Sequence, residues 1–525
     1  MPPSGQTTPG APPDPIPDGS IERYVVTGTA ANYAGQLVIL VVWFFLTPFI
    51  LDEIGATQYS LWVIVASVIA YGQLFDLGIN DAVAKYTAEH RALGDDETAS
   101  SLIATALWLF LGLGVAVAIA GYLLAPLVVS AFNIPAAERD TAERLVWVAG
   151  IGMAVELPAG TAYSVLRGLH RFDLINLISS LGMLALAGGT VLVLVLGGGV
   201  VEMAAIVIPL TLVWQVPAIA MIHRLAPELR FGLRGARRDQ VREVASFGGA
   251  LFGINAAETV KMKSSEIVIG ASLPVAAVAP FSVARRLSEL PEMLTFQFAK
   301  TLMPLSSKLY AEGHRDALRG IYISATRVVL GVFAAAAIPM TVYSSELLTA
   351  WVGAEFAGDA DVLVVLVFAG LAKVAMFPAL LMLQGMDRHR PLVVFALSSA
   401  ALHLVLAISL VSSAGVIGVA YATLIATTAE MLAAIPYAMR VNRVGPAELL
   451  TRALAPALVA TVPALALALE LRSALELGSL VAIGLAAIPP LLVFAVVFLL
   501  MPQSRVELRF VRRVAVAASR RLSAR

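Results

Sequence analysis

Residues 98–131 read TASSLIATALWLFLGLGVAVAIAGYLLAPLVVSA, without one Asp, Glu, Lys, Arg or His. At about 1.5 Å of rise per residue, roughly twenty such residues in a helix cross the ~30 Å hydrocarbon layer of a bilayer. The layer offers the backbone no hydrogen-bond partner, so each crossing segment must satisfy its own amides and is expected to be helical. Comparable blocks recur at 25–51, 60–81, 144–167, 172–197, 200–223, 244–271, 276–305, 321–344, 361–385, 391–412, 415–438, 452–471 and 477–501. The chain of 525 residues is 59% hydrophobic and only 14% charged, far more apolar than a soluble protein of that length. The alternating pattern of a membrane β-barrel is absent. The expected fold is an all-α polytopic membrane protein of about 14 transmembrane helices.

Charge placement sets the orientation. With the N-terminus inside, the inner loops collect Lys85, Arg91, Arg167, Arg171, Arg224, Arg230, Arg234, Arg237, Arg238, Arg242, Lys308, Arg315, Arg319, Arg388, Arg390, Arg440, Arg443 and Arg452. The outer loops hold Arg139, Arg144 and Arg472. Cytoplasmic loops are the ones enriched in Lys and Arg, so both termini are expected in the cytoplasm of a cell with this protein in its inner (plasma) membrane. Residues 1–20 are rich in Pro, Gly, Ser and Thr and lack the basic start of a secretory signal. The tail from Val506 to Arg525 interleaves Arg with Val, Leu, Phe and Ala; it reads either as a solvated end or as a segment resting on an anionic leaflet.

The chain contains an internal repeat. Lys85-Tyr86-Thr87-Ala88-Glu89-His90-Arg91 is answered by Lys308-Leu309-Tyr310-Ala311-Glu312-Gly313-His314-Arg315. Asn32 is separated from Asn255 by the same interval as Lys85 from Lys308. Leu166-Arg167-Gly168-Leu169-His170-Arg171 is answered by Leu383-Gln384-Gly385-Met386-Asp387-Arg388; a proline precedes each (Pro158, Pro378) and a Ser-Ser pair follows each. Such order predicts two tandem six-helix lobes of equal orientation, related by an axis along the membrane normal, as in alternating-access transporters. The expected divisions are a cytoplasmic tail at 1–22, a first lobe at 23–224, a basic linker at 225–243, a second lobe at 244–440, an extra hairpin at 441–501 and a basic tail at 502–525.

Gln58-Tyr59-Ser60-Leu61-Trp62, Asp76-Leu77-Gly78-Ile79-Asn80-Asp81-Ala82, Lys85-Tyr86 and Ala88-Glu89 resemble the signature of polysaccharide flippases of the multidrug/oligosaccharidyl-lipid/polysaccharide exporter superfamily. Ser264-Ser265-Glu266-Ile267-Val268-Ile269-Gly270 is similar to a further family pattern. The resemblance spans about residues 22–500. It implies alternating-access export of a lipid-linked sugar, often on a polyprenyl pyrophosphate, driven in many members by an ion gradient or the membrane potential. It also implies a structural or gating role for Asp76.

Charges in the apolar spans are the candidate site. A charge at mid-bilayer costs at least ~2.5–3.5 kcal/mol on insertion scales and so faces a cavity or an opposite charge. At about 100° per residue, Asn255, Glu258, Lys261, Ser265 and Glu266 share one broad helical stripe, with Lys263 outside its edge. Arg285, Arg286, Glu289 and Glu292 follow in the next span, and Lys373 in the tenth. In one reading Lys261, Lys263, Arg285, Arg286 and Lys373 line a central cavity with Asn32 and Asn255 and hold an anionic headgroup, while Glu156, Glu258 and Glu266 take a coupling H+ or Na+. In the other, Glu258 pairs with Lys261, Lys263 with Glu266 and Arg285 with Glu289 at i,i+3 or i,i+4 spacing, and the charges neutralise one another. Pro158, Pro291 and Pro378 are candidate hinges.

Net charge is zero, and nucleic acid is not an expected partner. The chain has no cysteine, its six histidines lack metal-ligand spacing, and no phosphate-binding glycine loop is present, so no metal or cofactor is expected. Three functions compete: a flippase for a lipid-linked oligosaccharide, a cation-coupled multidrug exporter of the same superfamily, and a membrane-embedded glycosyltransferase or polymerase. The cations argue against cationic drugs, and the short outer loops against an enzyme. A flippase would work beside membrane lipids and glycan polymerases or glycosyltransferases.

Overall fold

The computed structural model describes residues 18–76, 78–241 and 249–504; the side chains of 18–37, 72–73, 75 and 249–255 lie outside the described residues. Asn32 and Asn255 fall in that group, as do most of the two tails and the end of the basic linker. Among the described residues every regular element is helical.

Ten helical stretches are long and apolar enough to cross a membrane. Two of them are each two spans joined at a glycine: Asp18–Gly72 turns at Gly55 (φ 74°, ψ 165°) and Arg390–Asn442 turns at Gly415 (φ 65°, ψ −144°). Only glycine adopts that backbone without strain, so the helical hydrogen bonding resumes directly after a corner. Gly249–Ser272 and Val278–Lys300 carry the charged residues and bring the number of spans to fourteen. In chain order, span 1 is 18–54 and span 2 is 56–72. Spans 3 to 6 are Asp96–Ser130, Arg139–Gly168, Phe172–Val195 and Val200–Ala205 with Val207–Leu225. Spans 7 to 10 are Gly249–Ser272, Val278–Lys300, Arg315–Val342 and Ala360–Gly385. Spans 11 and 12 are 390–414 and 416–442, and spans 13 and 14 are Ala455–Ala474 and Leu480–Leu500. The Gly55 and Gly415 corners lie at the Lys/Arg-poor end of the bundle, the end expected from the loop charges to face outward and called the outer end below.

Small residues let the spans approach. A methyl on Gly114 would lie 2.8 Å from the Cα of Ala154, and one on Gly150 would lie 3.3 Å from the Cα of Ala118, so spans 3 and 4 meet nearly backbone to backbone. Span 13 presents Ala457, Ala460, Ala464 and Ala468 as one buried stripe. Beside it the Tyr343 hydroxyl donates toward the carbonyls of Ala468 (3.2 Å) and Ala486 (3.4 Å), fixing the terminal hairpin to the second lobe.

The repeat is written into the helix ends. Span 4 and span 10 each finish with a residue in the left-handed region, His170 (φ 56°) and Asp387 (φ 54°). The next amide in each closes onto a carbonyl five residues back, Arg171 to Leu166 (3.0 Å) and Arg388 to Leu383 (2.8 Å). Just before each stop sits the shared glycine. A methyl on Gly168 would lie 2.6 Å from the Ala84 carbonyl oxygen, and one on Gly385 would strike the Met303 carbonyl oxygen and Ser306. These residues belong to the helices Ile79–Ala92 and Leu302–Ala311 at the Lys/Arg-rich end, which follow spans 2 and 8 and pack on their own lobes.

The two lobes clasp one another at the outer end. The Asn133 amide donates to the Gly270 carbonyl (3.1 Å), its side chain to the Ala271 carbonyl (3.1 Å), and the Val275 amide to the Asn133 carbonyl (3.3 Å). The Trp351 indole N–H donates to the Phe44 carbonyl (2.7 Å). The helical stretch of spans 1 and 2 packs on spans 7 and 8 as well as on spans 4 and 5, so this pair bridges the lobes.

Gly168→Val and Gly385→Val should each destabilise the fold by about 1–3 kcal/mol through overpacking. Thermal unfolding in detergent checks this, and Gly188→Ala, whose added methyl would meet nothing within 4 Å, should leave the transition in place.

Candidate functional site

Span 1 contributes Trp43 and Thr47, span 2 Trp62 and Ser67, span 7 Lys263, and span 8 Arg285, Arg286 and Glu289 to a cavity of about 390 Å³ between the lobes. Trp351 closes one side. The guanidinium carbon of Arg286 stands 4.2 Å from the Trp43 ring centre and 5.7 Å from that of Trp62, and the two indoles stack at 6.0 Å. Arg286 therefore reaches from the second lobe to the first by cation–π attraction. Among the described residues no carboxylate oxygen lies within 4 Å of the Arg286 or Lys263 side-chain nitrogens.

The remaining cations are paired inside the second lobe. Lys261 meets Glu430 at 2.7 Å and Glu258 at 3.5 Å, with Lys261 and Glu430 both buried. Lys373 meets Glu292 at 3.3 Å. Arg285 meets the fully buried Glu266 at 2.6 Å and Glu289 at 3.5 Å, and also donates to the Met262 carbonyl. Buried ions are tolerated when each finds an opposite charge, and each of these does, although Glu266 Oε1 and Oε2, Glu258 Oε2 and Arg285 Nε make no hydrogen bond of good geometry.

The sequence expectation of one cavity lined by five cations divides here. Lys263, Arg285 and Arg286 do line the space between lobes, with Arg285 held by carboxylates. Lys261 and Lys373 instead border a small internal space of about 50 Å³ within the second lobe. The stripe carrying Glu258, Lys261, Ser265 and Glu266 turns into that lobe, and Lys263, off the stripe, turns out of it. The pairings of Glu258 with Lys261 and Arg285 with Glu289 are present; Glu266 is taken by Arg285 rather than Lys263, because the guanidinium of the neighbouring span reaches it.

Glu156 is exposed to a separate cavity of about 450 Å³ inside the first lobe, with Asp76, Asn80, Tyr163 and Gln215. Asp76 accepts the Asn80 amide at 3.0 Å and so satisfies a free N–H in the first turn of the helix after span 2. Arg167 ties that helix to span 4 through Asp81 at 2.9 Å. Helical structure continues through Pro158, Pro291 and Pro378.

Sequence reasoning missed Glu430 and His403. His403 is buried in span 11, its Nε2 3.2 Å from the Ser265 hydroxyl. Both stand in otherwise apolar spans, and that isolation was the available signal. Trp43 carried no sequence signal of a site, since tryptophan is common in membrane helices.

Fourteen spans in paired lobes, clasped at one end around a basic cavity, make up a fold shared with solved membrane proteins. The fold of the lipid II flippase MurJ, inward closed conformation, is similar, with a TM-score of 0.71 at 13% identity over 90% of this chain and 99% of that one. A multidrug resistance MATE family transporter in an inward-facing conformation gives 0.66 at 16% identity over 78% of this chain and 94% of that one. An outward-facing conformation of such a transporter gives 0.53 at 15% identity over 79% and 95%. A family model described as polysaccharide biosynthesis protein matches residues 55–360, and the chain belongs to that family. None of the curated proteins matches the chain.

Lys261→Met should destabilise the protein by about 3–5 kcal/mol, because it leaves Glu430 buried without a partner. Lys261→Met combined with Glu430→Leu should recover most of that loss. Thermal melts of the single and double variants in detergent measure the difference.

Proposed function

We propose that this protein is an alternating-access flippase that carries a lipid-linked oligosaccharide, on a polyprenyl pyrophosphate or similar carrier, from the cytoplasmic to the outer leaflet for cell-surface polysaccharide assembly. Arg286 carries the reading. It is a cation in a cavity between lobes, without a carboxylate partner among the described residues, and it is supported from beneath by two indoles. An arginine fork suits a phosphate or carboxylate because it donates two hydrogen bonds at once. Lys263 beside it adds a second positive charge to the same space. The family's description and the resemblance to MurJ support the same cargo class. A cavity with this charge opposes cationic drugs, which weighs against the multidrug alternative. The basic loops support an inner (plasma) membrane setting with both termini in the cytoplasm. Coupling to H+ or Na+ is assigned to Glu156, an exposed first-lobe carboxylate that lines a cavity and has no cation within 4 Å among the described residues; Asp76 in the same cavity is engaged by the Asn80 amide. Glu258 and Glu266 serve the paired network of the second lobe.

Arg286→Ala should lower export of surface glycan roughly tenfold to a hundredfold, the loss expected for one charge-assisted contact of ~1.5–3 kcal/mol, while the protein still inserts and melts normally. Flux of fluorescent lipid-linked saccharide in liposomes measures it, and unchanged flux removes the assignment. Alternating access has its own test in a chain that has no cysteine. Asn133→Cys with Ala271→Cys, bridged by a short bifunctional thiol reagent, should hold the outer end shut and stop transport, with each single variant unaffected.

A further inference from the structure

Three of the chain's six tryptophans, Trp43, Trp62 and Trp351, line the cavity between the lobes. A pocket built only to neutralise a phosphate needs cations and amides; it does not need indoles. A pyranose ring presents a face of C–H bonds that is apolar and slightly positive, and this matches the electron-rich face of an indole. Trp43 and Trp62 are both partly exposed to the cavity and stack on one another, giving a broad aromatic wall. Tyr59, fully buried behind Trp62 at 5.7 Å, fixes the position of that wall. Arg286 lies against the same wall, and Ser67 and Ser282 add hydroxyls around it.

We infer that Trp43, Trp62 and Arg286 together read the saccharide and select a sugar ring that bears an anionic group: the indoles take the ring and the guanidinium takes its anion. The inference rests on the flippase reading for its cargo and narrows that cargo to acidic saccharide. Two sources supply the chemistry, a uronate carboxylate within the glycan or the glycosyl phosphate at the carrier linkage. An anion of either kind attracts Arg286 more strongly than a ring face does, since a full charge replaces a quadrupole. Drawing the guanidinium toward the anion exposes the Trp43 face to the sugar. It also weakens a contact that joins the two lobes, so cargo recognition and release of the outer clasp fall on the same side chain.

The test is binding to the full-length protein in nanodiscs, followed by tryptophan fluorescence. The probes are glucuronate, glucose 1-phosphate, glucose and inorganic phosphate. The expected result is quenching by glucuronate or glucose 1-phosphate at concentrations at least about tenfold below those needed for glucose or phosphate, a discrimination of ~1.4 kcal/mol. Whichever of the two acidic sugars acts identifies the source. Trp43→Ala and Arg286→Ala should each abolish the preference, and Trp43→Phe, which keeps an aromatic face, should retain most of it. Equal binding of phosphate and glucose 1-phosphate, with no effect of Trp43→Ala, overturns the inference in favour of a plain anion pocket. Equal binding of glucose, or no response to any probe, overturns it as well. Lipid-linked flux separates this outcome from the wider reading: a Trp43→Ala protein that flips cargo normally while Arg286→Ala does not would discard the aromatic platform and leave the flippase standing.

Discussion

A charged side chain halfway across a bilayer has to meet an opposite charge, a dipole or water, because the hydrocarbon supplies none of them. In this protein that requirement sorts five cations into two groups. Lys261, Lys373 and Arg285 meet Glu258, Glu430, Glu292, Glu266 and Glu289 through contacts within the second lobe. Lys263 and Arg286 are directed to the space between lobes. The five carboxylates and five cations balance in number, but their distribution does not, and the imbalance leaves positive charge where cargo would enter. Removing one member of the inner group strands a charge in the lobe, whereas removing Arg286 strands none among the described residues. The two groups therefore answer to different constraints: charge pairing holds the first, while the second is free to serve the recognition proposed for it.

Most of the architecture was legible in the sequence because a bilayer imposes a coarse and strict rule. Segments such as 98–131 must be helices, their number fixes which loops share a side, and the arginines mark that side. The tandem lobes were legible from short matching motifs, and the structure gives the reason those motifs persist. Gly168 and Gly385 allow a helix at the Lys/Arg-rich end to touch the end of span 4 or span 10, and His170 and Asp387 make the left-handed stop that follows. The corners at Gly55 and Gly415 were less legible. A single glycine can turn a span without any loop, so no polar interval announces it.

The site was legible in its residue types and less so in its geometry. Spacing along one helix identifies partners at i+3 and i+4, and it found Glu258 with Lys261 and Arg285 with Glu289. It cannot rank those against a partner on another span. Glu266 is three residues from Lys263 yet is held by Arg285, and Lys261 finds Glu430 across 169 positions of sequence. The helical stripe was a correct reading of one face of span 7; which neighbour that face meets is a tertiary fact. The outcome reversed the roles of its members, since Lys263, off the stripe, is the lysine that reaches the interlobe cavity.

This division bears on how rocking of the lobes could be driven. Ion pairs wholly inside one lobe move with it as a rigid body, so their burial and partners stay constant and they add nothing to the difference between two conformations. A ligand shifts such an equilibrium only through contacts that differ between states. The contacts that must differ are those crossing the lobe boundary: Asn133 on the Gly270–Ala271 carbonyls, Trp351 on Phe44, and Arg286 on Trp43 and Trp62. The first two are backbone-directed hydrogen bonds, and the second borders the cavity of the cations, since Phe44 and Trp351 both line it. Arg286 is the one of these contacts that brings a charge to the interlobe cavity, and its attraction for indole faces, of order 0.5–2 kcal/mol, is small enough for an anion to displace. A fully ion-paired arginine at that position would hold too firmly to respond, and an apolar residue would have nothing to offer an anion. A cation resting on aromatic rings meets both demands, which gives a physical reason for the two tryptophans to face the arginine across the boundary.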